Sequence, residues 1–319
     1  MKKLTLLILA LLSACSAEKD GKEHVQLLLD WKAQMEHAGF FVASAKRLYG
    51  REGLAVEILE GSGAPTTARL VGNGTYKLGV SSGSATVTAR TKGIPVISLA
   101  VINQHSPVVV YSLAAKGLTD PKQLVGKRIG VNIGGTKHRE FQALLNKLEI
   151  GEDQIQLMGM TESSPAPLLA GKVDAMLGYT EDQPVTVELR GEQVNRIALS
   201  DHGIDLYSTN IIVNEAYLKT HPEVVRRFLK ASLEGWVYAV EHPQEAVDAY
   251  AASRPESDRA FNEANFTQLI PILTSPDVLS HGFGTQTRER WTSTQDILYD
   301  LGLIESRVPV AEIFTNDYR

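Results

Sequence analysis

Cysteine is the scarcest residue here: a chain of 319 residues carries one, Cys15. With no second thiol there is no internal disulfide, no CxxC redox pair and no thiolate zinc cluster. Eight histidines are scattered without HxH or HExxH spacing, so no metal site is expected, and no cofactor motif stands out. Basic charge is not clustered and the formal net charge is −5, which leaves no footprint for nucleic acid. No apolar run approaches the ~20 residues of a membrane-spanning helix. Low-complexity tracts and long linkers are missing too. What remains is 43% hydrophobic and 22% charged, an ordinary globular composition whose length suits two modest domains.

The amino terminus is more specific. Lys2 and Lys3 precede an apolar run from Leu4 to Leu12, then Ser13, Ala14 and Cys15, the order of an export signal. Leu12-Ser13-Ala14-Cys15 resembles the bacterial lipobox, in which the cysteine becomes the lipidated first residue of the mature protein. The alternative is a plain secretory signal cut after Ala14. Residues 1–15 are thus expected to be signal plus lipidated Cys15, and residues 16–24 a tether.

From Val25 to Leu29 an apolar strand delivers Asp30 and Trp31 to its carboxyl end, and a helix follows through Phe41, Ala45 and Leu48 with Gly50 as its stop. In an α/β protein the rim beyond strand ends is where ligands bind, so this corner is the first binding-site candidate. Strands are expected at Leu54–Leu59, Tyr76–Val80 and after Pro95, alternating with helices around Ala68 and from Ser84 to Thr91. A second series follows: strands at Arg128–Asn132, Ile155–Met158, Val173–Leu177 and Arg196–Leu199, with helices at Lys137–Leu148, Ala166–Ala170 and Pro184–Arg190. Such alternation implies mostly parallel sheets covered on both faces. Pro107–Ser112 and Leu206–Val213 are the candidate strands on which the chain crosses between the two series. From Asn214 onward the pattern is mainly helical: Pro222–Val240, Pro243–Ala252, Asp258–Ile270 and Arg288–Leu301.

These residues resemble the solute-binding proteins of ATP-driven importers, in particular the branch that binds pyrimidine precursors of thiamine and includes relatives for sulfonates. The resemblance lies in Asp30-Trp31 with Glu36-His37 and Gly39, in LGVSSG at 78–83, GVNIGGT at 130–136, LLAGKVDAMLGY at 168–179 and the ending DLGLIESRVPVAEIFTNDY. It implies an α/β, two-lobed type II periplasmic-binding fold with crossing hinge strands: lobe one from 25–110 and 208–319, lobe two from 111–207. It also implies a monomeric, non-enzymatic clamp in the periplasm or at the cell surface, held to the membrane by a lipid on Cys15. The clamp would close over a small-molecule solute and be read by a permease and ATPase. Mapped residue by residue, the cleft would comprise Asp30, Trp31, His37, Ser81 and Ser82 on one side and Gly135, Thr136, Tyr179, Glu181 and Asp182 on the other.

A flat aminopyrimidine wants aromatic faces and a carboxylate to accept its amino hydrogens, which Trp31, Tyr179, Glu181 and Asp30 supply. His37 braces the first helix or touches ligand. An alkanesulfonate or other anion would use helix amino termini at Ser81-Ser82-Gly83 and Gly134-Gly135-Thr136, helped by Lys137 and His138 if they face the cleft. Another small heteroaromatic is the remaining ligand alternative. Gly79-Val80-Ser81-Ser82-Gly83 also satisfies the GxSxG elbow, so a secreted serine hydrolase using Ser81 is the reading of a different class. Gly130 to Lys137 imitates a phosphate loop with the wrong order, Gly-Thr-Lys, and ATP is not expected there.

Overall fold

The computed structural model describes residues 21–161 and 164–319. The export signal, Cys15 and residues 16–20 of the expected tether lie outside them. The chain begins β1 (Glu23–Leu28), α1 (Ala38–Ala45), α2 (Leu48–Arg51), β2 (Leu54–Leu59), α3 (Ala64–Gly72), β3 (Leu78–Ser82), α4 (Gly83–Thr91) and β4 (Val96–Val101). A second series runs β5 (Val108–Leu113), β6 (Arg128–Val131), α5 (Thr136–Lys147), β7 (Gln156–Gly159), α6 (Ala166–Leu169), β8 (Ala175–Tyr179), α7 (Gln183–Glu188) and β9 (Val194–Ala198). Then come β10 (Thr209–Asn214) and six helices: α8 (Glu215–Thr220), α9 (Pro222–Glu241), α10 (Pro243–Ser253), α11 (Arg259–Leu273), α12 (Pro276–His281) and α13 (Arg288–Asp300).

Two five-stranded sheets result, in the orders β2-β1-β3-β10-β4 and β7-β6-β8-β5-β9. In each, three strands pair in parallel and one antiparallel strand is inserted, β10 in the first sheet and β5 in the second. Both inserted strands directly follow a crossing: 102–107 leads from β4 to β5, and 199–208 from β9 to β10. Every residue of β10 is buried, which its unbroken apolar centre Ile211-Ile212-Val213 requires of a strand covered on both faces. Its one interior amide, Asn210, is satisfied by Thr86 and Ser98 at 3.1 and 3.0 Å.

The helical tail closes over the first sheet. Pro222 opens α9, where a missing N–H costs nothing. Val225, Phe228, Leu229, Ser232 and Trp236 form its buried stripe. Trp236 meets Phe40 edge-on at 5.7 Å. Gly39, one of the residues carrying the family resemblance, sits where a Cβ would fall 2.3 Å from the Trp236 ring. Its role is therefore close packing of α1 on α9.

Several boundaries differ from the sequence expectation. The first helix does not run to Gly50: Arg47 takes a left-handed φ of 57°, dividing α1 from α2. That step turns Tyr49 onto α9, stacked on Phe228 and bonded to Ser232 at 3.0 Å. The strand expected at Tyr76 starts at Leu78, and β1 begins at Glu23, inside the expected tether. The strand expected at Val173–Leu177 lies at Ala175–Tyr179, because Asp174 is held outside it by the Arg128 amide and guanidinium at 3.1 and 3.0 Å. Two short helices, α8 and α12, were not anticipated. No helix among the described residues is long and apolar enough to cross a membrane.

Candidate functional site

The corner after β1 is tied down by its backbone. Gly61 N–H donates to the Trp31 carbonyl at 3.0 Å and Gly63 N–H to that of Asp30 at 2.6 Å. A Cβ on Gly61 would lie 2.0 Å from the Leu29 carbonyl oxygen, so only glycine allows that approach. Trp31 is 49% exposed and stands at the rim. Asp30 accepts the Nε2 proton of fully buried His37 at 2.8 Å, and His37 Nδ1 accepts the Gln34 amide at 3.2 Å. This places the neutral ring's proton on Nε2 and makes His37 a brace for the corner. Asp30, Glu36 and His37 also place one ligand atom each within 4.8 Å of one another, the donor set a cation would use. The His37 nitrogen available for that is the one already donating to Asp30.

Glu36, from the short turn Met35–His37, faces residues of the other sheet. Burial pushes its carboxyl up to about 7, with Asp30 and Asp182 adding to the rise and His37 and Lys137 opposing it. Opposite stand Tyr179, the last residue of β8, and Glu181 and Asp182, which lead into α7. Glu181 is 3% exposed and its Oε2 has no hydrogen-bond partner. Burial, with Glu36 and Asp182 nearby, raises its carboxyl to about 8. Burial raises Asp182 as well. Burial also raises the Tyr179 phenol, with Glu140 and Glu36 adding to it. The cation among these acids is Lys137, the second residue of α5. Its Nζ lies 4.4 Å from the Tyr179 ring centroid, and burial lowers its pKa against the pull of Asp182, Glu181 and Glu36. From the first sheet's side, Asn265 on α11 donates to the Glu181 carbonyl at 2.7 Å. The acid cluster therefore draws on both sheets.

The second feature is a cavity of about 580 Å³. Pro65 and Thr66 of α3, Ser84 and Ala85 of α4, and Gly135 and Thr136 at the start of α5 bring the amino ends of three helices to its wall. Arg69, Lys92 and Arg139 add positive charge. Glu140 adds one carboxyl, and Leu206, Leu298, Leu301 and Leu303 an apolar side. Such concave, partly apolar spaces with a few convergent polar groups are the usual form of small-molecule sites.

The ten residues expected at the cleft thus divide. Asp30, His37, Tyr179, Glu181 and Asp182 belong to the acid cluster, and Gly135 and Thr136 to the cavity. Ser82 caps α4 by accepting the Ala85 amide at 3.2 Å. Ser81 is fully buried, its hydroxyl donating to the Ala64 carbonyl at 3.3 Å. Trp31 does not line the cavity. Lys137 turns into the acids, and His138 turns away, accepting the Gly134 amide at 3.0 Å. Sequence reasoning gave Glu140, Arg69 and Asn265 no role. Glu140 was within reach, since it lies four residues after Thr136 and shares its helix face. Arg69 and Asn265 reach the site only through packing between elements distant in sequence.

The model of the family described as NMT1/THI5 like matches residues 34–246. The riboflavin-binding protein RibY of Chloroflexus aurantiacus is 26% identical, the match covering 99% of this chain and 96% of that protein. The formylaminopyrimidine-binding protein of Halalkalibacterium halodurans is 24% identical, covering 98% and 96%. A 4-amino-5-hydroxymethyl-2-methylpyrimidine phosphate synthase of Legionella pneumophila is 27% identical, covering 93% and 92%. Among solved structures, the periplasmic aliphatic sulphonate binding protein SsuA of Escherichia coli superposes with a TM-score of 0.68 at 15% identity, covering 91% of each chain. The fold is the two-lobed periplasmic-binding fold.

Proposed function

The chain belongs to the NMT1/THI5-like family, and on that premise we propose that it captures a small solute outside the cytoplasm and presents it to the permease and ATPase of an importer. The solute of first choice is a thiamine-related aminopyrimidine such as formylaminopyrimidine or hydroxymethylpyrimidine. The observation that carries this choice is the buried Glu181 carboxyl, whose Oε2 has no partner. A protonated carboxyl donates its O–H to a ring nitrogen and accepts the adjacent amino hydrogen, the complement of a 4-aminopyrimidine edge. An oxygen left unpaired in a buried site costs free energy, and a ligand supplying the missing hydrogen recovers it. The names of two relatives point the same way, one to formylaminopyrimidine and one to another heteroaromatic, riboflavin.

The closing units would be the lobes expected at 25–110 with 208–319 and at 111–207, the first boundary moved back to the 102–107 crossing because Val108–Leu113 pairs wholly within the second sheet. Ligand favours closure by what it gains from touching both. Lipidation at Cys15 would keep the clamp at the membrane. A second reading has its own support: the three helix amino ends with Arg69, Lys92 and Arg139 suit a sulfonate or phosphate. The hydrolase alternative loses ground, because the Ser81 hydroxyl is buried and committed to a backbone carbonyl. Synthesis of a pyrimidine, the activity named for the Legionella relative, would show as product formation.

Thermal denaturation against pyrimidines, flavins, sulfonates and carboxylates tests the reading. A ligand that binds only the folded state adds ~2.7 kcal/mol at one hundred times its dissociation constant. A raised midpoint with hydroxymethylpyrimidine or formylaminopyrimidine is expected. A shift with sulfonates alone would transfer the assignment to the cavity's cations.

A further inference from the structure

One carboxyl in the cavity wall is also part of the connection between the two sheets. Glu140 lies one turn after Thr136 on α5, is 8% exposed and lines the cavity. Its Oε2 accepts the Ser106 hydroxyl at 2.5 Å, and Ser106 Oγ accepts the Val108 amide at 3.3 Å. Ser106 belongs to the first crossing, 102–107. The second crossing supplies Asp205, which takes the Ser106 amide at 3.2 Å, His105 Nδ1 at 2.8 Å and Arg290 Nη1 of α13 at 2.7 Å. An unbroken hydrogen-bonded chain therefore runs from the cavity wall through Glu140 and Ser106 to Asp205, binding both crossings to the tail.

This arrangement gives Glu140 a specific difficulty. In the cavity wall its carboxylate is desolvated, faces the like charge of Asp205 and has one hydroxyl as hydrogen-bond donor. Burial, reinforced by Asp205, pushes its carboxyl up to about 7 against the help of Ser106. The other charged and titratable groups around it are Arg69 and Lys92 from α3 and the end of α4, Lys137 and Arg139 on its own helix, Tyr179 on β8, and His105 and Arg290 beyond Ser106. Arg69, Lys92 and Arg139 are exposed and hydrated, so they screen the carboxylate weakly. Lys137 is engaged with the acids of the neighbouring cluster.

We propose that Glu140 is a specificity-determining residue that makes closure of the cavity conditional on a solute N–H. With the cavity empty, the ionised carboxylate favours opening, where water can reach it. A solute that donates an N–H to it replaces that water, and the Ser106 link to the crossings persists. A simple anion gives no such return and adds a second negative charge beside the first. The inference rests on the cavity being the solute compartment, but its first test needs no solute.

Amide hydrogen exchange of the ligand-free protein, corrected for intrinsic rate, is measured over residues 104–108 between about pH 6 and pH 8. Protection in the wild type should fall as pH rises through the range where Glu140 ionises, and Glu140→Gln should flatten the profile at its low-pH level. A wild-type profile that does not change, or one that survives in Glu140→Gln, overturns the proposal. The second arm titrates 4-amino-5-hydroxymethyl-2-methylpyrimidine and ethanesulfonate at pH 8. Glu140→Gln should weaken the pyrimidine by about tenfold, the cost of one charge-assisted hydrogen bond, and leave ethanesulfonate equal or tighter. Equal losses for both probes would make Glu140 merely structural. If neither probe binds, the solute reading fails while the exchange profile still decides the role of Glu140.

Discussion

The acid cluster and the cavity wall are unlike in what they lack. Around Glu181 there is an excess of acceptors: four carboxyls, one cation and a carboxyl oxygen with no hydrogen to accept. Around the cavity the excess is of donors and positive charge, with Glu140 as the one acid in the lining. Thr136 and Lys137, adjacent in sequence, look one way and the other, so α5 divides the two environments. A solute that spans them must bring N–H groups to one and tolerate cations at the other.

The harshest way to break the comparison is to remove the cation from the acid side. Lys137→Met leaves Glu36, Glu181 and Asp182 without their shared counter-charge and should cost about 2 kcal/mol at pH 8. Urea unfolding at pH 5, where the Glu36 and Glu181 carboxyls carry protons, should show most of that loss restored. A pH-independent loss would mean that Lys137 acts by packing.

The pH profile of stability sharpens the same contrast. Folded-state values of about 7 for Glu36, 7 for Glu140 and 8 for Glu181 lie above the ordinary carboxylate range. A raised folded value means that the native state holds protons the unfolded chain has already lost. The resulting stability is full below the ordinary range and disappears as pH climbs through about 7 to 8. Ligand-free protein should lose stability between pH 5 and pH 9 through these groups, with a smaller fall in Glu181→Gln. Thermal midpoints across that range would expose an error as a flat or rising curve.

On the cation side the effects are gentler. Arg69 and Lys92 are exposed, so replacing both with alanine should change stability by less than about 0.5 kcal/mol. The change should nevertheless weaken any sulfonate binding and reduce its salt dependence, which titrations at two ionic strengths would show. Smallest of all is Trp31→Ala: a half-exposed rim residue should cost less than about 0.5 kcal/mol and weaken solute binding a few-fold. Marked unfolding with unchanged affinity would contradict a ligand role for Trp31.

Much of the fold was legible because the chain punctuates itself. The parallel strands are short apolar runs between helical stretches, and Pro222, Pro243 and Gly302 mark helix ends. The family resemblance was legible in the corners at 30–39, 78–83 and 130–136. What escaped was decided by contacts between distant segments. The break at Arg47 serves packing of Tyr49 against α9, and the late start of β8 follows from Arg128 gripping Asp174. Ser81 and Trp31 were both placed at a strand end on sound grounds, yet packing took one inside and left the other at the rim. No local pattern reveals that Glu140 bonds Ser106 or that Asn265 reaches Glu181, because those meetings depend on how two sheets are brought together.

The central claim is that the unpartnered Glu181 oxygen exists to meet a solute amino group, and calorimetric titration on both partners tests it directly. Wild type and Glu181→Met, which has neither the donor nor the acceptor of the neutral carboxyl, would each be titrated with 4-amino-5-hydroxymethyl-2-methylpyrimidine and with the same ring lacking its amino group. Either change alone should weaken binding by about tenfold or more, and the two together should cost little beyond one. Losses that simply add would show that Glu181 and the amino group never meet, and would contradict the assignment.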